Sequence, residues 1–300
     1  MKKSNSNLDF FLEKYKGYLT AKQRSAIING LELTDRLEKY AEIALGITQE
    51  KETKKNTIIW SPPGAGKTFT VRNAARKAKL DYVQYHGKAT LNAFVMKMAK
   101  ACYIQKSNTI LPVWIDDCDA FFTDESSLNF MKIVLDNDEP AISWDVNVGN
   151  QVSKAEKIGD TILVEALKHF DNGGVGIEIP LDSVRFTITT NKKLSSKQDI
   201  NKKKINMHEY AVRDRCKWRA FDITDDEAWG WMSSIMLSNN VFADDGFALS
   251  PMQLFQLLQI FHTNWPNLSA NSMRTVKEAG AMLYNNPETF ADEFEQNFLA

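Results

Sequence analysis

A lysine and a hydroxyl that follow a glycine-bearing turn can hold a chain of phosphates. Residues 61–68 read SPPGAGKT. Glycine lets a backbone take conformations that a Cβ forbids, so several N–H groups can turn inward on one anion. Gly64 and Gly66 supply that freedom, with Pro63, Ala65 and Phe69 in the same cofactor-binding segment. Lys67 would reach the β- and γ-phosphates, and the Thr68 hydroxyl would ligate Mg²⁺. Ser61 departs from the G-x-x-x-x-G-K-[ST] pattern, because a glycine is usual there. That glycine eases the exit from a strand. The two glycines nearer the phosphates are present, so the loop reads as a tolerated variant.

The second set of candidates is acidic. ILPVWIDDCDAFF, residues 110–122, is an apolar run that ends in Asp116 and Asp117. Asp116 would hold Mg²⁺ through its water shell, and Asp117 would orient and polarise the attacking water. Asp119 is a fallback, and alternation along the chain gives it a structural or intersubunit place. VRFTITT, residues 184–190, leads to Asn191, whose amide could bond the γ-phosphate or the attacking water. His86 lies in a loop and is given no role.

These groups need elements to position them. Ile58, Ile59 and Trp60 form a strand before the loop, and FTVRNAARKAKL forms a helix after it. The positive end of that helix and its unpaired N–H groups would face the anion. YVQY (82–85) is a strand, and Leu91, Phe94, Val95, Met98 and Cys102 form a helical face. Residues 124–136 read as a helix. Residues 137–184 read as an insertion with a strand at Ala141–Trp144, a helical stripe from Ile158 to Phe170, and a hairpin or mobile loop in DNGGVGIEIP. KKLSSKQDINKKK (192–204) is the strongest cationic segment. A short helix and a strand at Trp218–Ile223 follow, with Arg213, Arg215, Lys217 and Arg219 clustered there.

The flanks are helical. Thr20 with Gln23, and Thr224 with Glu227, spell capping boxes. Ser250, Pro251 and Gln253 mark another helix start. A third C-terminal helix covers about 270–285, with Arg274 beside its apolar stripe, and the acidic ETFADEFEQNF closes the chain as a surface helix. The expected domains are an N-terminal helical segment at 1–50, with a second helix from Thr20 and a third from Leu33 to Leu45, then a nucleotide-binding α/β domain at 51–224, and a helical lid at 225–300.

Bulk composition narrows the class. The chain has 300 residues, 43% hydrophobic and 25% charged, which is ordinary for a globular protein with a real core. Its net charge of −1 gives no global basic field, so a nucleic-acid contact would need a local patch or several subunits. Cys102, Cys118 and Cys216 are isolated, which argues against a disulfide framework or a zinc site. The start, MKKSNSN, has no apolar leader, and no stretch is long enough to span a bilayer. A cytoplasmic protein without membrane contact is expected.

The constellation resembles the AAA+ ATPase family. SPPGAGKT resembles its Walker A segment, WIDDCD its Walker B, and TITTN the strand ending in sensor 1, here Asn191. VRDRC resembles the arginine-finger segment, closest to that of clamp-loader subunits, and selects Arg215, with Arg213 second. SMRTV resembles sensor 2 and puts Arg274 on the nucleotide. The resemblance covers roughly 50–285. It implies a P-loop parallel sheet flanked by helices, a C-terminal helical lid, ATP and Mg²⁺ as cofactors, and a homo-oligomeric ring or spiral, hexameric by family analogy. Departures are Ser61, the insertion, and Asp117 where most members use Glu. Asp is shorter by a methylene, so either the geometry adjusts or hydrolysis is slow. A clamp-loader collar after the lid is not expected.

An ATP-driven DNA transaction (replication, recombination or packaging, as loader or motor) is the leading functional expectation. The finger segment and the basic 192–204 stretch favour it, and the compact, divergent sequence suggests a phage or mobile-element protein. The alternative is a protein remodeller with an unidentified protein partner, but the loop HGKATLN lacks the aromatic–aliphatic–glycine motif usual in that class. A small-molecule kinase ranks last, since it needs neither Arg215 nor a large helical lid.

Overall fold

The computed structural model describes residues 6–48, 54–87, 90–105, 109–136, 138, 141–202, 206–238, 241–242 and 245–299. Most of the MKKSNSN start, the first half of the charged approach at 51–56, part of the HGKATLN loop and the end of the basic 192–204 segment lie outside them. The chain divides into two compact units, one of residues 39–61 and 67–220, the other of residues 1–38, 62–66 and 221–300.

The first unit is built on a five-stranded parallel sheet, ordered β2-β3-β6-β1-β7. Its strands are β1 (Thr57–Trp60), β2 (Val83–His86), β3 (Leu111–Asp116), β6 (Val184–Thr190) and β7 (Lys217–Ala220). The inner strands β1, β3 and β6 are almost wholly buried, which explains the apolar runs of β1 and β3, while β6 buries Thr187, Thr189 and Thr190 alongside its apolar residues. Helices α3 (Lys67–Lys77), α4 (Leu91–Ile104), α5 (Glu125–Val134) and α8 (Met207–Asp214) accompany these strands. Phe94, Met98, Phe121, Met131, Phe186 and Ile188 meet in a single core.

The 137–184 segment is ordered where described. It forms β4 (Ala141–Asp145), α6 (Val148–Lys157), α7 (Thr161–His169) and β5 (Gly176–Pro180). β4 and β5 pair antiparallel, so DNGGVGIEIP is a tight turn followed by a strand. The expected single helical stripe breaks at Gly159 and Asp160, where the Asp160 carboxylate caps α7 by accepting from the Leu163 N–H.

The second unit is helical. It contains α1 (Ser6–Lys14), the first part of α2 (Ala21–Ala44), α9 (Asp225–Ser238), α10 (Pro251–Asn264), α11 (Met273–Asn285) and α12 (Phe290–Phe298). The capping boxes at Thr20, Thr224 and Ser250 all form. α2 is one continuous helix rather than two. Gly30, in its middle, faces Gly230 of α9 so closely that a Cβ would lie 2.3 Å from the Gly230 carbonyl oxygen. Tyr15 stacks on Phe255 at 4.7 Å. The acidic C-terminal stretch is a helix, but it buries Phe290, Phe294 and Phe298 along one face. Its carboxylates occupy the other side, as in any amphipathic helix.

Candidate active site

The site is assembled by register. β2, β3 and β6 are neighbours, and parallel pairing sets His86 beside Asp116 and Asp116 beside Thr189. These are the last or next-to-last residues of their strands, so their side chains line up at the carboxyl edge of the sheet. β1 lies on the other side of β6 and runs into the phosphate loop.

The loop has the backbone that its sequence demands. Gly64 and Gly66 adopt φ of 82° and 69°, in the left-handed region where a Cβ is costly. Space is short as well. A Cβ on Gly64 would sit 2.9 Å from the Ser272 Cβ at the N-cap of α11. A Cβ on Gly66 would approach the Trp231 ring at 3.1 Å. Pro63 is exposed, Ala65 is buried, and Phe69 is exposed on the first turn of α3. α3 begins at Lys67, so its unpaired N–H groups belong to the same loop.

Lys67 is 5% exposed. Its Nζ donates to the Ser61 Oγ at 2.8 Å, to the Ser61 carbonyl at 3.1 Å and to the Asn191 Oδ1 at 2.7 Å. Burial lowers its pKa to about 8, against the opposing pull of Asp117, Asp116 and Asp119. The amine thus sits among oxygen acceptors in a place that phosphate oxygens could take over.

Asp116 is buried and its two oxygens are used differently. Oδ1 accepts from the Thr68 hydroxyl at 2.8 Å and from the Thr189 hydroxyl at 2.6 Å. Oδ2 faces the Gln84 Nε2 at 3.4 Å and the His86 Nδ1 at 3.2 Å. Asp117 follows with φ of 48°. Among residues with side chains, Asp and Asn tolerate that conformation best. This gives a backbone reason for aspartate where glutamate was the expected residue. Burial and the Asp116 charge raise the Asp117 pKa, which suits a group that takes a proton.

Asn191 joins the two halves. Its Oδ1 accepts from Lys67, and its Nδ2 donates to the Asp117 Oδ1 at 3.3 Å. Its carbonyl accepts from the Trp60 indole at 3.1 Å, which fixes the strand tip. Asp119 accepts from the Thr190 hydroxyl at 2.7 Å and so ties the turn after β3 to β6.

The structure brings Lys67, Thr68, Asp116, Asp117 and Asn191 together. Arg215 stands elsewhere. It caps α8 just before β7, with its Nε on the Asp136 Oδ2 at 2.9 Å and its Nη1 on the Ala211 carbonyl at 3.1 Å. β7 starts beside the start of β1, with Lys217 opposite Thr57. Lys67 lies past the other end of β1, about 10 Å further along at roughly 3.3 Å per residue. Arg213 lies over the Trp218 ring at 4.1 Å and donates to the Leu194 carbonyl. Arg274 is exposed on the first turn of α11, whose N-cap Ser272 abuts Gly64. It has no ion-pair partner among the described residues.

Sequence reading missed Ser61, Gln84, His86 and Thr189. The signal for two of them was present: Gln84 and His86 are two apart on a strand, so they share a face. That this face meets Asp116 depends on strand pairing, which local pattern does not reveal.

The loop fits a nucleoside triphosphate and the Thr68–Asp116 pair fits Mg²⁺. The glycines are left-handed, a buried amine donates to Ser61 and Asn191 oxygens that phosphate oxygens could replace, and the hydroxyl and carboxylate are adjacent. Among the described residues no cluster of three His, Cys, Asp or Glu could hold a metal, so phosphate oxygens and waters must complete the shell. That is the habit of Mg²⁺.

These features are those of a P-loop site for a nucleoside triphosphate. Residues 57–198 match the ATPase family associated with various cellular activities (AAA), and the chain carries that ATPase domain, which uses ATP and Mg²⁺. A Caenorhabditis elegans protein described as ATPase family AAA domain-containing protein 3 is 26% identical over 159 residues, covering 43% of this chain and 27% of that protein. The chain therefore spans little more than a quarter of that relative. The structure of C. elegans PCH-2 is similar over 89% of this chain and 66% of its own, with 12% identity and a TM-score of 0.37. Among the described residues no helix is long and apolar enough to cross a membrane.

Proposed function

We propose that the chain acts as an oligomeric ATPase, a ring or spiral, that couples hydrolysis to a DNA transaction. The observation that carries the catalytic part is the Lys67–Asn191–Asp117 chain of hydrogen bonds at 2.7 and 3.3 Å. It ties the phosphate-binding amine to the carboxylate that would face the attacking water.

Each residue has a definite task. The Gly64–Gly66 backbone and the first turn of α3 bind the phosphates. Lys67 leaves Ser61 and Asn191 for the β- and γ-oxygens. Thr68 and Asp116 hold Mg²⁺, which neutralises charge on those oxygens when bound. Asp117 accepts a proton from the water that Asn191 helps to place. Arg274, at the head of α11, adds a cation to the nucleotide. Arg215 belongs to the opposite end of its own sheet, so it serves the nucleotide of a neighbouring subunit. An arginine supplied in this way is worth about 10³–10⁵ in rate.

The DNA assignment is supported by the cationic 192–204 segment in a chain whose net charge is −1. Steady-state ATP hydrolysis measured against protein concentration, with and without single-stranded DNA, tests both parts. Specific activity should rise with concentration and again with DNA. Activity that ignores concentration would overturn the shared site, and activity that ignores DNA would overturn the DNA assignment.

A further inference from the structure

Two hydrogen bonds run in sequence into the Asp116 carboxylate. The Trp114 indole Nε1–H donates to the Thr189 Oγ1 at 3.0 Å, and the Thr189 hydroxyl donates to the Asp116 Oδ1 at 2.6 Å. All three side chains are buried. Their meeting follows from the sheet. Trp114 and Asp116 are two apart on β3 and so share a face, and the β3–β6 register sets Asp116 opposite Thr189. The second bond has the short length of a hydroxyl on an ionised carboxylate.

A hydroxyl has one proton and can turn it, whereas an indole N–H can only donate. The Trp114 N–H arrives on one side of the Thr189 oxygen. A hydroxyl proton turned to that side would meet another proton and leave a buried donor unmet, which is costly. The Thr189 proton is thereby directed to Asp116. A buried strand position calls for an apolar side chain, and leucine or phenylalanine would fill it without a donor. Indole adds the donor. The same ring also stands beside the partner of the other carboxylate oxygen. The His86 ring is tilted against Trp114 with centroids 6.2 Å apart, and its Nδ1 is 3.2 Å from the Asp116 Oδ2.

We propose that Trp114 is a positioning residue for Mg²⁺ binding: its N–H sets the direction of the Thr189 hydroxyl, and that hydroxyl holds the Asp116 carboxylate in one orientation. The proposal rests on the assignment of Asp116 to the metal shell made above, and adds what orients that carboxylate.

The test is the Mg²⁺ concentration needed for half-maximal ATP binding, read by titration calorimetry on the full chain. Thr189→Val keeps the shape and removes the hydroxyl, Thr189→Ser keeps the hydroxyl, and Trp114→Phe keeps an aromatic ring and removes the N–H. Thermal melting of each variant checks that it folds. Thr189→Val should raise the midpoint by about tenfold, the scale on which partners of metal-binding carboxylates act. Trp114→Phe should raise it several-fold, and Thr189→Ser should stay close to the parent. ATP binding without metal should be unchanged in all three. The double variant Trp114→Phe, Thr189→Val should be no worse than Thr189→Val alone, because the indole acts through the hydroxyl. Additive losses would overturn the role of Trp114, and equal shifts in Thr189→Val and Thr189→Ser would overturn that of the hydroxyl. Asp116→Asn separates this proposal from the assignment beneath it. A midpoint that moves in Asp116→Asn but not in Thr189→Val would overturn the proposal alone. A midpoint unmoved by Asp116→Asn would overturn both.

Discussion

The Ser61 hydroxyl accepts a hydrogen bond from the Lys67 amine at 2.8 Å. Serine at this position therefore does more than replace a glycine at a strand exit. It gives the phosphate-binding lysine an acceptor in the resting protein, beside its own carbonyl and the Asn191 amide oxygen. A triphosphate must displace those bonds. Ser61→Ala should lower the melting temperature of the nucleotide-free protein, since a bond from a charged donor contributes about 1.5–3 kcal/mol. It should also tighten ATP binding several-fold, because the resting state loses more than the bound state. Differential scanning and titration calorimetry read both effects. Weaker ATP binding would show that Ser61 holds Lys67 in the bound state too.

Asp117 combines a left-handed backbone with a carboxylate aimed at Asn191. Asn tolerates that backbone as well as Asp does, whereas Glu costs about 1 kcal/mol or more. Asp117→Asn should keep Mg²⁺·ATP affinity and stability while kcat falls by about 10²–10⁴. Asp117→Glu should be less stable than the parent and should not gain rate. A fast, stable glutamate variant would remove the backbone explanation for this residue.

His86 and Gln84 hold the Asp116 oxygen that Thr68 and Thr189 leave free. Groups that orient a metal-binding carboxylate commonly contribute 10–100-fold, as an order of magnitude, to metal affinity. His86→Ala should raise the Mg²⁺ concentration needed for half-maximal ATP binding by about tenfold. Metal-free ATP binding should stay as it was. If both change together, His86 acts on the loop rather than on Asp116.

The Asp136 carboxyl is held below its ordinary range, first by the Asp138 N–H and then by Arg215. A folded-state pKa below the unfolded value means that the stabilisation is complete above the unfolded value of about 3.8. It is lost as pH falls through the lower folded value. Asp136→Asn should therefore flatten the acid side of the stability curve below about pH 4 and leave it parallel to the parent near neutrality. Melting temperature against pH is the measurement. Unchanged curvature would show that neither the Asp138 N–H nor Arg215 holds the Asp136 carboxylate in solution.

Local spacing made the phosphate loop, the Asp116–Asp117 pair and Asn191 visible in the sequence, because each follows its strand directly. Pairing between distant strands did not show. His86 looked like a solvated loop residue, yet register places it against Asp116. The left-handed turn at Asp117 had no composition signal, since the residue is not glycine. The acids of the last helix hid a buried face of Phe290, Phe294 and Phe298, although those residues recur every four positions. The helices expected from Thr20 and from Leu33 are one, and Gly30 within it permits the close approach to Gly230. In each case a long-range contact decided the outcome.

The shared-site mechanism is tested most directly by mixing two inactive variants, Asp117→Asn and Arg215→Ala, and measuring ATP hydrolysis. In a mixed assembly an Arg215→Ala subunit keeps its own Asp117 and can receive Arg215 from an Asp117→Asn neighbour. Hydrolysis well above that of either variant alone is expected, with a maximum near equal proportions. A mixture as inactive as its components, although the two variants co-assemble, would contradict the assignment of Arg215 to a neighbour's ATP.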